Sequence, residues 1–439
     1  MRIGLLAIVV LGGGARLAWA WRTAEPPSGL HDPAFYLMLA SMLAAGRGYA
    51  YLGPEGGVTA YYPPGYPALV AAAIWLTDRL PLLEPSDFAV AVALNVALST
   101  ATIALVFALA RRLVDVRVGL AAAALVAAWP NLIFHSGVVL TETLFLSLML
   151  GMLLVVLATP EAASAPGRGR LVAAGLLFGA AGMVRPTFFV AAPLFLALWW
   201  PAGAHQALRR TAWVGAATLA VVLPWTVRNA VQMRAPVLIS TNFGDNFCMG
   251  HGPEATGAFS MSRACFGNLE PGPRPESETR RQAEMFRRAW RFIRASPAHV
   301  FTRMPAKLRY TLGGDADGLE AAADYGGREL FAPRAVRALE RVAHGYYAAM
   351  MLAALAGALL FLRGDDRARR RTFFVAISLV QLVPPLLTFG DARFKLPIVP
   401  AVAVCAATAL VTLGRRRARA GSPPHRPRRS ASPDTPRSS

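Results

Sequence analysis

The chain has 439 residues, 55% of them hydrophobic and only 16% charged, with a mean hydropathy of +0.42. A soluble domain carries about a quarter charged residues, so this composition excludes an ordinary soluble enzyme and points to the membrane. The net charge of +20 does not imply nucleic acid, because the arginines gather at the ends of apolar runs, in RRLVDVR (111–117), RGDDRARRR (363–371) and GRRRARA (414–420). There they are topology signals first, with attraction to anionic lipid as a by-product.

In chain order, the opening MRIGLLAIVVLGGGARLAWAW carries an AWA that resembles a cleavage site. The many apolar runs that follow favour an uncleaved first span over a signal peptide. The GGG at 12–14 has no strand before it, so it reads as small residues for helix packing, not as a nucleotide loop. The first polar loop, 22–87, contains SGLHDPAFYLMLASMLAAGRGY (28–49). Asp32 followed by Pro33 has the pattern of a helix start, an N-cap and a first helical position. A carboxylate needed for chemistry is the other reading. The loop closes with YYPPGYP (61–67), an extended corner in which Tyr61 and Tyr62 offer hydroxyls and flat apolar faces, although a stiff turn alone explains it. The run 64–77 is too short to cross a bilayer comfortably and is expected at the interface or dipping in.

Runs of spanning or near-spanning length fall at 3–21, 88–110, 118–136, 138–158, 171–184, 187–200, 211–227, 343–362, 372–389 and 395–413. The pair around 171–200 reads either as two tight spans or as one segment kinked at Arg185-Pro186. With a cytoplasmic N-terminus, these spans place RRLVDVR, EAASAPGRGR, AGAHQALRR, RGDDRARRR and the basic tail inside, whereas counting 64–77 as a span would put RRLVDVR outside. The fold class expected is an all-α polytopic membrane protein of about ten transmembrane helices. It would have a re-entrant or interfacial segment in the first outer loop and a small outer-side loop domain. The expected organisation is a transmembrane module with a functional first loop at 1–227, a non-cytoplasmic loop domain at 228–342, C-terminal spans at 343–413 and a disordered basic cytoplasmic tail at 414–439.

The loop domain opens with irregular, Gly- and Asn-rich sequence (228–259). It continues in SETRRQAEMFRRAWRFIRASPAHVF (277–301), an amphipathic helix with Phe286, Trp290 and Ile293 on one face and Arg287, Arg288, Arg291 and Arg294 flanking it. Such a helix lies on a bilayer surface or on the protein's own spans. Cys248 and Cys265 share this segment and are either a disulfide in an oxidising compartment or two thiols; their spacing is no metal signature. Cys405 reads as a small core residue.

A charged residue at membrane depth costs roughly 2.5–3.5 kcal/mol, so unexplained ones are functional candidates. On the expected outer side lie Asp32, Glu142 (in GVVLTETLFL), Arg185 (in GMVRPTFF) and the trio Asp391, Arg393 and Lys395 (in FGDARFKLPIVP). Glu142 caps a helix with Thr141 or serves function; Arg185 snorkels or serves function. Positive charge at the outer entrance of the last span runs against the topology rule and favours function there. Lys395 is one of only two lysines, Lys307 being the other. One carboxylate near several cations at a membrane surface suits transfer of a sugar from a lipid phosphate. The phosphate is already a good leaving group, cations stabilise the charge it gains, and one base takes the acceptor's proton. No second carboxylate flanking the bond is required, and a single displacement inverts the anomeric centre. Nothing resembles a Rossmann fingerprint or a Walker loop, which fits a lipid-linked donor.

The order of these motifs (a first-loop Asp with AAGRGY, then YYPPGYP, TETLF, MVRP and RFKLPIVP) resembles the GT-C superfamily of integral membrane glycosyltransferases. The nearest likeness is to bacterial members of the protein mannosyltransferase and aminoarabinose transferase group, over most of 1–200 and 225–413. The resemblance implies a polyprenyl-phosphate sugar donor, an inverting mechanism and an active site between the first loops and the membrane. Asp32 matches the acid that activates the acceptor, and Glu142 falls where relatives place a second acid. Arg185 and Arg393, with Lys395, fall near the donor phosphate. His31, Tyr61, Tyr62, Asn242 and Asp245 would help shape the pocket. Tyr62 stands where aminoarabinose transferases carry a Lys, and Pro33 stands where protein mannosyltransferases carry a second acid. The large carbohydrate-binding insert of the latter is absent, which disfavours protein as acceptor. The expected partners are membrane lipids, the lipid-linked donor and an envelope glycolipid or glycan acceptor, in the inner membrane with both termini cytoplasmic. No cofactor is firmly implied, and a divalent ion at Asp32 is left open. A lipid-linked-sugar flippase or a non-catalytic assembly protein is the alternative.

Overall fold

Turns, with side-chain caps at Ser86 and Asp115 among them, divide the apolar sequence into helices. The computed structural model describes residues 2–52, 57–80, 84–158, 166–266, 275–327, 330–363 and 367–420. Helix α1 (Arg2–Thr23) is followed by two helices of the first loop, α2 (Asp32–Ala44) and α3 (Gly65–Thr77). Next come α4 (Asp87–Leu113), α5 (Val116–Ala127), α6 (Pro130–His135), α7 (Glu142–Val156) and α8 (Arg168–Val184). A 3-10 turn at Pro186–Ala191 leads into α9 (Ala192–Trp199) and α10 (Ala204–Gln232). The polar segment forms α11 (Phe243–His251), α12 (Arg263–Phe266), α13 (Pro275–Ala295), α14 (Ala298–Leu312) and α15 (Asp317–Gly326). The chain ends in α16 (Pro333–Phe361), α17 (Ala368–Leu379), α18 (Val383–Leu387) and α19 (Val399–Ala420), the last preceded by a 3-10 turn at Ala392–Ile398. Among the described residues there is no strand longer than the isolated bridges Ala50–Val58 and Ala258–Gly390.

Six helical segments are long and apolar enough to cross a membrane: Arg2–Thr23, Asp87–Leu113, Ala204–Gln232, Pro333–Phe361, Ala368–Leu387 and Ala392–Ala418. Shorter apolar helices fill the other expected positions, including Val116–Ala127, Glu142–Val156 and Pro186–Ala202. The all-α polytopic architecture is therefore the one expected. Of the two readings of 171–200, packing selects two traverses. A Cβ on Gly175 would lie 2.3 Å from the Val214 carbonyl, and one on Gly179 would lie 3.1 Å from that of Thr218. Residues four apart on α8 thus meet residues four apart, in the same order, on α10. The two helices run parallel through a small-residue seam, and the segment between them must cross back.

Gly12 and Gly13 serve packing, whereas Gly14 faces open space: a Cβ on Gly12 would stand 2.6 Å from Ile103 and 2.8 Å from Ala127, and one on Gly13 3.0 Å from Thr100. One turn on, the fully buried Arg16 donates to Ser99 Oγ and to the carbonyls of Gly12, Val126 and Ala127, tying α1 to α4 and satisfying the C-terminal end of α5. The basic clusters do similar work at the opposite end of the bundle. Arg112 donates to Leu154, Arg367 to Val114, Arg370 to Leu157, and Arg371 to both Leu113 and Phe361 carbonyls. These are the last turns of α4, α7 and α16, where carbonyls lack helical partners.

Helices α10 and α16 run past their expected bounds, so the polar segment between them covers 233–332, where 228–342 was expected. The expected amphipathic helix breaks at Ser296-Pro297 into α13 and α14. Of the two surfaces it could lie on, the protein itself meets a different face from that of Phe286 and Trp290. Glu278, Met285 and Ala289 are buried, whereas Phe286 and Trp290 remain 41% and 43% exposed. The cause is Gly244 on α11, where a Cβ would lie 2.2 Å from the Gln282 carbonyl; that close approach turns the Gln282 side of α13 inward. Cys248 and Cys265 form a disulfide beneath this contact, joining α11 to α12. The tail expected to be disordered from 414 continues α19 as far as Ala420; its remaining residues lie outside the described ones.

Candidate active site

The helix start at Asp32 is not a cap in the expected sense. His31 occupies the N-cap position of α2 with no side-chain capping bond, and Asp32 is the first helical residue. Its carboxylate is spent elsewhere: Oδ1 accepts from the Tyr62 hydroxyl at 2.9 Å, and Oδ2 from the Arg393 guanidinium at 2.9 Å. Arg393 also lies 3.5 Å from Asp391, whose other oxygen accepts the Arg393 backbone N–H at 3.0 Å and so starts the 3-10 turn. The corner YYPPGYP thus delivers a phenol, and the last span's entrance a guanidinium, to one carboxylate. Burial, then Asp32, push the Tyr62 phenol far above its ordinary pKa, so it stays a donor.

A second pair lies alongside. Glu142, the first residue of α7, is 4% exposed and accepts from Arg185 at 2.5 Å, while Arg185 also donates to Thr141 Oγ1 at 3.3 Å. Thr141 makes no capping bond, so the capping reading of Glu142 gives way to the ion pair. Arg185 reaches Glu142 because α8 ends one residue before it, and the extended Arg185 followed by Pro186 turns the side chain back toward α7. Tyr36 stands one helical turn after Asp32 on α2. Its ring packs on Tyr62 and Tyr66, with Phe35 on the far side of Tyr62.

The remaining expected residues divide. Tyr61 donates to Asp245 at 2.8 Å, and Asp245 is 1% exposed and paired with Arg281 at 2.8 Å. The Tyr61 and Tyr62 rings touch, 5.0 Å apart, so this pair borders the site. Asn242 accepts from Ser240 at the start of α11, and the exposed His31 packs on Tyr325. Lys395, expected at the phosphate, is a correction. It is fully buried, 3.0 Å from Asp315 and 3.6 Å from Asp317, in a set completed by Trp129, Asn131 and His135. Although burial pushes the Asp317 carboxyl up, His135 and then Lys395 hold it well below the usual range. A 3-10 turn rotates about 120° per residue, so positions 393 and 395 face apart and only Arg393 reaches Asp32.

Three groups escaped the sequence reading. Tyr36 was visible in principle, four residues after Asp32. Glu278 carried no local signal. It accepts from Thr59 Oγ1 (2.8 Å), the Ala60 N–H (2.9 Å) and Thr241 Oγ1 (2.5 Å), bolting α13 to the first loop. Lys307 and His251 clamp the end of α18, just ahead of the turn that carries Arg393. Lys307 Nζ donates to the Leu386 carbonyl at 2.9 Å, and His251 Nε2 lies 3.0 Å from that of Leu387. Gly390 then rests on the Lys307 backbone, where a Cβ would meet its carbonyl at 2.1 Å.

A divalent ion does not fit Asp32 in this arrangement, since a phenol O–H and a guanidinium hold its two oxygens and Asp391 shares that guanidinium. Among the described residues no group of three or more His, Cys, Asp or Glu is arranged to hold a metal.

Residues 66–227 match the family model described as dolichyl-phosphate-mannose-protein mannosyltransferase. Among curated proteins, none matches the sequence. In three dimensions the chain is similar to the oligosaccharyltransferase of Archaeoglobus fulgidus in the apo form. The TM-score is 0.56 at 15% identity, over 95% of this chain and 51% of that one. The same archaeal enzyme, AglB, in complex with an inhibitory peptide and a dolichol-phosphate gives 0.54 at 15% identity, over 95% and 52%. ArnT from Cupriavidus metallidurans bound to undecaprenyl phosphate gives 0.43 at 13% identity, over 92% and 77%. The chain spans about half the length of the oligosaccharyltransferase structures it matches. The family-model match over residues 66–227 and the shared fold agree with the resemblance to GT-C membrane glycosyltransferases drawn from the sequence.

Proposed function

We propose that this chain is a GT-C glycosyltransferase that moves a sugar, with inversion, from a polyprenyl-phosphate donor to an envelope glycolipid or glycan on the non-cytoplasmic face. The observation that carries the reading is the Asp32 carboxylate shared between Tyr62 and Arg393, beside the Glu142–Arg185 pair. The family description and the dolichol-phosphate of the archaeal complex support a lipid phosphate as the donor's leaving group. The face is supported by the arginines that cap helix ends at the opposite pole of the bundle.

In the resting site each carboxylate holds one guanidinium. The donor phosphate takes over Arg393, with Arg185 nearby, and this frees Asp32 Oδ2 toward the acceptor. Asp32 accepts the acceptor's hydroxyl proton as the acceptor oxygen attacks the anomeric carbon. The bond from that carbon to the phosphate oxygen breaks, and the polyprenyl phosphate leaves with the electron pair, its added charge held by the arginines. Tyr62 keeps its bond to Asp32 Oδ1 and fixes the carboxylate's orientation. The test is purified protein in lipid with a panel of lipid-linked sugars and crude envelope glycolipids. Asp32→Asn should abolish release of free polyprenyl phosphate while melting stays near wild type. Equal release from wild type and variant would leave Asp32 without a catalytic role, and no release from any donor by the wild type would favour an assembly or flippase protein.

A further inference from the structure

Two span ends fix the level at which α11 and α13 lie. Beside the last turns of α10, Trp225 Nε1 donates to the Ile239 carbonyl and Thr226 Oγ1 to that of Leu238, both at 2.8 Å. Two residues beyond Ile239, Thr241 Oγ1 donates to Glu278, the fourth residue of α13, at 2.5 Å. At the far end of α11, His251 Nε2 lies 3.0 Å from the carbonyl of Leu387, where the span Ala368–Leu387 ends. Helix α11 therefore bridges two span ends and runs along the bilayer surface, not away from it. Helix α13 follows α11. Gly244 meets Gln282, the Phe247 ring lies 4.9 Å from that of Phe286, and Met285 and Ala289 pack in one cluster with Cys248. These contacts advance in the same order on both helices, so α13 lies along the surface too.

Docking leaves one stripe of α13 free. At about 100° per residue, the buried Met285 and Ala289 are followed round the helix by the exposed Phe286 and Trp290. Arg287, Arg291 and Arg294 come next. The exposed Phe243 ring of α11 lies 6.4 Å from that of Phe286, which lies 6.4 Å from that of Trp290. Leu238, beside the end of α10, is exposed as well, as are Val227 and Val231 on that span. Apolar surface thus continues from the side of a membrane span onto α13. The charge beside it is positive, since Glu284 alone answers Arg287, Arg288 and Arg291, at 3.1, 2.9 and 3.3 Å, while Arg294 lies over the Trp290 ring. Aromatic rings next to arginines, at the level of span ends, match the boundary between acyl chains and anionic headgroups.

We propose that α13 is a membrane-surface helix, with Phe243, Phe286 and Trp290 at the headgroup boundary of an anionic leaflet and Arg287, Arg291 and Arg294 on its lipid phosphates. The same helix carries Glu278 and Arg281, which hold Thr59, Ala60 and Asp245. The lipid surface thereby sets the height of the wall that Asp245 and Tyr61 form beside Asp32.

The test uses the full chain in nanodiscs. Cys248 and Cys265 are joined and Cys405 is buried, so a nitroxide can be attached selectively at Trp290→Cys. Leu223→Cys, exposed on the spanning part of α10, is the lipid reference. The label at 290 should be relaxed more by oxygen, which partitions into lipid, than by a water-soluble nickel chelate, as at 223. Stronger relaxation by the chelate overturns the placement of α13. Hydrogen exchange over 279–295 tests the arginines without a label. Exchange in the wild type should be slower in phosphatidylglycerol than in phosphatidylcholine, and the difference should vanish when Arg287→Gln, Arg291→Gln and Arg294→Gln are combined. Equal exchange of the wild type in both lipids, or a difference that survives the triple variant, overturns the role of the arginines.

Discussion

Replacing Lys395 by methionine separates the two roles open to this lysine, and its surroundings set the size of the effect. The ammonium is fully buried, 3.0 Å from Asp315 and 3.6 Å from Asp317, and it also donates to the Ala392 carbonyl at 2.9 Å. Methionine keeps the length of the side chain and removes the charge, leaving Asp315 buried without its cation. Breaking a buried pair from one side costs about 3–5 kcal/mol. Trp129 and Asn131 still donate to Asp315 at 2.7 and 3.0 Å, so the lower end, about 3 kcal/mol, is expected. At about 2 °C per kcal/mol, the low end for large domains, melting falls by about 6 °C. Adding Asp315→Asn removes the stranded charge and should recover most of that loss, because deleting both partners costs far less than deleting one. The assay is thermal melting of single and double variants in lipid, with undecaprenyl phosphate binding measured below the transition. A Lys395→Met protein that melts like wild type but no longer binds the lipid phosphate would refute this reasoning and return Lys395 to the donor site.

Two pH effects follow from buried groups of the polar segment 233–332. Burial raises the Glu278 carboxyl above its ordinary value, despite bonds from Thr241, Thr59 and Ala60 and the nearby Arg228. The native state therefore binds more protons than the unfolded one, and this site's contribution declines as pH rises past the usual carboxylate range. Glu278→Gln keeps an acceptor for Ala60 and Thr241, so melting followed from pH 5 to 8 should show a smaller decline in the variant; an unchanged slope would contradict the assignment. His251 has the opposite sign: burial, then Lys307, lower it to about 4, with His299 adding to the effect. Its neutral form is the native one, so stability is lost as pH falls from about 6.5, the usual histidine value, toward 4. Hydrogen exchange at 386–390 should quicken over that window in wild type, and its pH dependence should flatten in His251→Gln.

What was legible in the sequence follows from the range of the forces involved. Apolar runs and arginine clusters report a residue's own transfer energy between water and lipid, so the bundle could be read from them. Whether 186–202 crosses back could not, because that depends on Gly175 and Gly179 meeting α10, a contact between segments some forty residues apart. At the site, the acid at 32 and the basic residues at 185 and 393 stood out because unpaired charge beside an apolar run is costly. Their pairing was not legible, since Asp32 and Arg393 are separated by almost the whole chain. Which side of α13 docks on the protein was not legible for a similar reason: periodicity finds an amphipathic helix, but Gly244 decides which stripe is buried.

Burial explains why two cations from one short motif serve different ends. Arg393 and Lys395 are two residues apart in FGDARFKLP, and each is ion-paired. The 3-10 geometry of Ala392–Ile398 sends them to different faces of the turn, about 120° apart. Lys395 and Asp315 have no exposed side-chain surface, so an incoming phosphate cannot reach the pair without unpacking the core around it. The side chains of Arg393 and Asp32 are 20% and 28% exposed, and that of Arg185 is 16% exposed. Partly open pairs can exchange partners, because the charge left behind is met by the ligand or by water. A closed pair exchanges only at the full cost of an uncompensated charge. The clamp of Lys307 and His251 on the carbonyls at 386 and 387 completes the division. It fixes the backbone from which Arg393 extends, so the guanidinium can pass from Asp32 to a phosphate while the turn that carries it stays in place.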